Sequence, residues 1–174
     1  MTNDQMDLMF FQYLKIERQY SKNTISSYEL DLKIFNEMMQ KNYVDLTLDD
    51  AKYYLSFLRD NYKNNTVLRK MSSVKSLYKF LEGEKIITDN VWTSVKTSKK
   101  QVVLPKFLSV EEINLLLNSL DGDKPIDSRN KAMFELLYAT GMRISELLDL
   151  EVNSVNFEER FVKVRGKGNK ERMV

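Results

Sequence analysis

The stretch LLYATGMRISEL, residues 136–147, carries one arginine, Arg143, in an otherwise apolar run just after Thr140-Gly141. A guanidinium in such a setting needs an anionic partner or a full set of acceptors. Its planar fork matches two oxygens of one phosphate. Glu146 stands three residues on, one helical turn away, where it can orient the arginine. A purely structural Arg143–Glu146 pair fits the same spacing. A second cation, Lys167, lies between two glycines in RGKGNKE. On a tight turn its ammonium could reach a neighbouring site and protonate a departing oxygen, if its pKa were lowered. The plain alternative is a solvated turn lysine. Gly-Lys-Gly lacks the spacing of a nucleotide phosphate loop.

A third group of cations sits in NNTVLRKMSSVKSLYKFLEGE, which reads as a helix ending near Gly83. At 100° per residue, Val67, Met71, Val74, Tyr78 and Leu81 share one arc. The opposite arc holds Arg69, Ser72, Ser73, Lys75, Ser76 and Lys79. Small serines let a helix approach a groove, and the cations neutralise phosphates. This predicts a DNA-facing helix rather than an ordinary solvated face, which would mix in acids. Lys22 and Asn23, at the start of the second helix, and Lys99 and Lys100, in the linker, extend the predicted DNA-binding set.

The elements that must position these groups are mostly helices. The 174 residues are 43% hydrophobic, enough for a core, and the 5 Gly and 2 Pro leave little room for a β-sandwich. Ser21 is an expected N-cap for a helix with Ile25, Tyr28, Leu32, Phe35 and Met39 on one side. Thr47 with Asp50, and Ser109 with Glu112, have capping-box spacing. Residues 1–95 read as a four-helix domain, 96–106 as a basic linker, and 107–174 as the start of a second domain. That second domain has a helix after Ser109 and another from about Ser128 to Ala139, stopped at Thr140-Gly141. It then has a short helix, ISELLDL, and a β-hairpin built on Phe161, Val162 and Val164.

Charge is unevenly spread. Residues 69–106 hold 9 basic and 3 acidic side chains, and residues 160–174 hold 6 and 1. Two basic blocks suggest polyanion contact in two places. The chain has no Cys and no His, which excludes disulfides, histidine general acid–base chemistry and most transition-metal sites. No apolar run approaches a membrane span, and acids precede the first apolar stretch, the wrong flank for a signal peptide. A cytoplasmic protein with no metal and no cofactor is expected.

LLYATGMRISELLDL followed by VRGKGNKERMV resembles tyrosine recombinases of the phage integrase family, above all the Xer type. YLKIERQYSKNTISSYELDLKIF and RKMSSVKSLYKFL are similar to their SAM-like core-binding domain. LPKFLSVEEINLLL and DSRNKAMFELLYATGMR look like the opening of their mixed α+β catalytic domain. The resemblance runs essentially end to end. It implies that Arg143 binds the scissile phosphate, that Glu146 supports it, and that Lys167 is the general acid for the leaving 5′ oxygen. It also implies a metal-free site on double-stranded DNA, and homo- or hetero-tetramers acting on two DNA sites. The family further needs an HxxR box, a His or Trp, and a tyrosine nucleophile, all downstream of the hairpin. None can be carried over here, so the chain is expected to stop inside its catalytic domain and to be inactive alone. The rival expectations are a DNA-binding module or decoy without catalysis, and a helical adaptor with incidental lysines.

Overall fold

A computed structural model describes residues 1–98, 104–166 and 170–174. The chain divides into two compact units, Met1–Val103 and Leu104–Val174. The described residues are mainly helical, with one small sheet among them.

The first unit holds α1 (Asn3–Ile16), α2 (Lys22–Met39), α3 (Leu48–Asn61) and α4 (Asn64–Gly83). Each of the first three starts where a short polar side chain can satisfy an orphan backbone donor. Thr2 caps α1, Ser21 caps α2, and Thr47 caps α3 while Asp50 reaches back to it. The 3₁₀ turns Tyr43–Asp45 and Val91–Thr93 lay two large rings over the bundle. Phe35 sits among Tyr43, Tyr54 and Trp92, with ring centroids 5.7, 4.9 and 5.4 Å away. Such offset and edge-on aromatic contacts add to the burial of area. Trp92, Phe10, Leu14, Leu32, Leu58, Met71 and Leu77 are sealed from solvent with them.

The second unit holds α5 (Val110–Ser119), α6 (Pro125–Thr140), α7 (Ile144–Leu148), and strands β1 (Val155–Asn156), β2 (Phe161–Arg165) and β3 (Glu171–Met173). The sheet is antiparallel in the order β1-β2-β3. Ser109 and Glu112 form the expected capping box on α5. The start expected near Ser128 is corrected: α6 begins at Pro125, three residues earlier. Proline suits a first turn, because its fixed φ is helical and its missing N–H has no partner to lose. Asp127 then accepts from the Lys124 N–H. The two-residue β1 carries no periodic signal and was not foreseen. The hydrophobic cluster here is small: Met142, Leu147, Val162 and Val164 are its buried members. Among the described residues, no helix is long and apolar enough to cross a membrane.

Candidate nucleic-acid interface and phosphate site

In the first unit, α4 turns an apolar stripe inward: Val67, Met71, Val74, Leu77, Tyr78 and Leu81 are buried. On the other side, Arg69, Ser72 and Lys79 are exposed, and Lys75 and Ser76 are half-buried. Ser73 is a correction. It is fully buried and donates from Oγ to Asp31 at 2.7 Å, so it lies under the surface rather than on it. The reason is that α2 packs against this edge of α4 and brings a carboxylate to it. Lys75 is partly committed as well, donating from Nζ to the Val95 carbonyl at 2.6 Å. Lys22 and Asn23 are exposed on the first turn of α2. A concavity of about 530 Å³ adjoins α4, lined by Tyr13, Tyr20, Arg18, Ser72, Lys75 and Lys79 among others. Arg18 was not singled out in the sequence; nothing in its local pattern marks it. Lys99 and Lys100 lie outside the described residues.

In the second unit the site is built around Glu146. Helix α6 ends because Gly141 adopts φ 62, and its N–H returns to the Leu137 carbonyl. The chain then turns through the buried Met142 and enters α7 with Arg143 as N-cap. Glu146 occupies the third position of α7, from which Oε2 accepts the Arg143 backbone N–H at 2.7 Å. Its Oε1 accepts from Arg143 Nη1 at 2.9 Å. The buried member of this pair is therefore the acid, not the base: the Glu146 side chain is 3% exposed and that of Arg143 is 68% exposed. The apolar neighbours of Arg143 had suggested the reverse. Polar N-cap geometry lifts residue 143 out of the helix and tucks residue 146 beneath it.

A second arginine completes the site. Arg172 of β3 donates Nη1 to Glu146 Oε1 at 2.6 Å and Nη2 to Oε2 at 2.8 Å. The strand register explains its reach. Arg172 pairs with Val164, whose side chain is buried, so both face inward. Glu171 faces the other way and pairs with Lys163 at 2.6 Å and Arg165 at 3.1 Å. At the end of β2, Gly166 lies so close that an added Cβ would stand 3.3 Å from Glu146 Oε1. The Arg172 hydrogen bonds, followed by that from the Arg143 backbone, hold the Glu146 carboxyl down at about 2. The carboxylate in turn raises the Arg172 pKa. One carboxylate thus serves two guanidinium groups, and the surplus positive charge faces solvent at Arg143. Lys167 lies outside the described residues. No group of three or more acidic, His or Cys side chains that could hold a metal occurs among the described residues.

The fold, as distinct from the site, has counterparts in solved structures. The fold is shared with a lambda integrase tetramer bound to a Holliday junction (TM-score 0.79, 16% identity, covering 100% of this chain and 50% of that one). It is shared too with the XerH site-specific recombinase bound to its difH substrate (TM-score 0.68, 22% identity, covering 97% and 51%). Residues 9–85 match the phage integrase N-terminal SAM-like domain, and residues 106–174 match the phage integrase family. The chain belongs to the phage integrase family, on the Xer side of it. It is 40% identical to the tyrosine recombinase XerC of Halalkalibacterium halodurans, over 99% of its own length. It is 39% identical to the tyrosine recombinase XerD of Pasteurella multocida, over 95%. It spans 58% and 57% of the length of these relatives.

Proposed function

We propose that this chain is the DNA-holding and phosphate-clamping part of a tyrosine recombinase that breaks and rejoins DNA at specific sites. The observation that carries the reading is the Arg143–Glu146–Arg172 cluster in a member of this family. A guanidinium held at one Nη by a buried carboxylate keeps its other donors outward, the geometry that a phosphodiester oxygen pair needs. In the proposed reaction a tyrosine hydroxyl attacks the scissile phosphorus. A 3′-phosphotyrosyl bond forms, the bond to the 5′ oxygen breaks, and a proton is delivered to that oxygen. Arg143 stabilises the charge that builds on the non-bridging oxygens. Lys167 is the proposed proton donor. The family's tyrosine and HxxR box are not among these 174 residues, and the sequence has no histidine. The chain as given is therefore proposed to bind duplex DNA and to cleave none. The whole protein is proposed to act in the cytoplasm, as a tetramer on two DNA sites; the lambda integrase that shares its fold is a tetramer bound to a Holliday junction.

The test is a nicked duplex that traps covalent adducts, run beside a mobility-shift titration. Salt-dependent binding with no adduct is expected. An adduct formed by the 174-residue chain, or binding indifferent to salt, would sink the reading.

A further inference from the structure

We propose that the buried carboxylate of Asp31 is a positioning residue that presets Arg69 as a clamp for one DNA phosphate; this rests on the DNA-binding reading of α4. The Asp31 side chain is 0% exposed between α2 and α4. It accepts from Lys70 Nζ at 3.1 Å, from Ser73 Oγ at 2.7 Å, and from Arg69 Nη1. The charges around it do not cancel: two cations share one anion. Lys70 is consumed inside, with its side chain 4% exposed and its ammonium 4.9 Å over the Tyr62 ring. The surplus charge is carried by Arg69, whose side chain is 47% exposed. Nη1 is tied to Asp31, while Nη2 and Nε make no hydrogen bond to another described residue. On the helix wheel Ser76 and Ser72 stand beside Arg69 and Lys79 follows, so small hydroxyls leave space for a strand at the free edge of the fork. An arginine tethered this way loses less side-chain freedom on binding than one free in solvent.

The same contacts admit an opposite reading, in which Asp31 only neutralises Arg69 and Lys70 and so weakens DNA binding. The two differ in sign. The pair Asp31→Asn with Lys70→Met removes the tether and keeps the net charge of the cluster, one anion and one cation lost together. Duplex affinity of the full chain is measured against salt for the wild type, this pair, Arg69→Gln, and all three substitutions combined. Under the proposal, Arg69→Gln lowers the slope of log K on log salt by about 0.9, one phosphate. The charge-neutral pair lowers affinity about tenfold and the slope by the same amount, and adding Arg69→Gln to it changes nothing more. Wild-type affinity and slope in the folded pair overturn the proposal, as does tighter binding. Should the pair unfold the chain by circular dichroism, Arg69→Lys decides: an ammonium cannot both hold Asp31 and present a fork, so it should lose most of what Arg69→Gln loses. Wild-type binding by Arg69→Lys overturns the proposal. If the wild type binds without salt dependence, the DNA-binding reading falls first and this one with it. If it binds with a steep slope that Arg69 does not affect, this one falls alone.

Discussion

Two carboxylates in this chain are pulled in opposite directions. Glu146, fixed by Arg172 and the Arg143 backbone, is held down at about 2. A depressed folded-state pKa contributes stability that is present above the ordinary carboxylate range and lost as pH falls towards 2. An NMR titration of the Glu146 carboxyl carbon should therefore show no midpoint between pH 4 and 8. Glu146→Gln should abolish the pH dependence of the contact and free the hairpin, seen as faster amide exchange at Val164 and Arg172. Asp7 behaves the other way. Burial between α1 and the Tyr43 turn raises it to about 6, despite hydrogen bonds from Tyr43 and Asn36. A raised folded-state pKa costs stability as pH climbs from about 4 through about 6. Asp7→Asn should melt higher than the wild type at pH 7.5, with the gap closing at pH 4. Tyr54 offers a third test: its hydroxyl is buried with no partner among the described residues. Tyr54→Phe should stabilise the chain by about 1 kcal/mol in urea titrations, since an unsatisfied buried hydroxyl is a net cost.

At the scale of elements, α7 depends on the turn before it. A Cβ on Gly141 would meet nothing within 4 Å, so a substitution there is opposed by its φ of 62 alone. Gly141→Ala should cost about 1 kcal/mol by chemical denaturation and loosen the entry of Arg143. The helix starts at Ser21, Thr47 and Ser109 were legible in the sequence because one side chain decides each, whereas Thr2, which caps α1 in the same way, was missed. The apolar stripe of α4 was equally legible, because a 3.6-residue period needs no knowledge of the partner. Ser73 and Asp31 were not. Each takes its environment from the other, across 42 residues of sequence. Arg172 was missed for a related reason. Its face is set by pairing with Val164, and register depends on hairpin geometry that residue types alone leave open. The exposure of Arg143 was not legible, because an apolar run fits an interior as well as it fits a short helix whose Ile144 and Leu148 lie exposed.

For the whole molecule, the two units differ in how much apolar surface they hide. The first seals rings and aliphatic chains from all four helices. In the second, α5 and α6 have no buried residue, and Leu115, Phe134 and Tyr138 are exposed. Hydrogen exchange should show slow amides in α2 and α4 and fast ones in α5 and α6, because protection follows the burial that local opening must undo. The chain's one tryptophan, Trp92, is fully buried in the first unit. Its emission is therefore an optical label that nature placed in one half only. A blue-shifted spectrum that turns red on denaturation times the loss of the four-helix core, while far-ultraviolet dichroism follows both halves. Any interval between the two curves measures how far the hairpin unit unfolds before the bundle itself gives way.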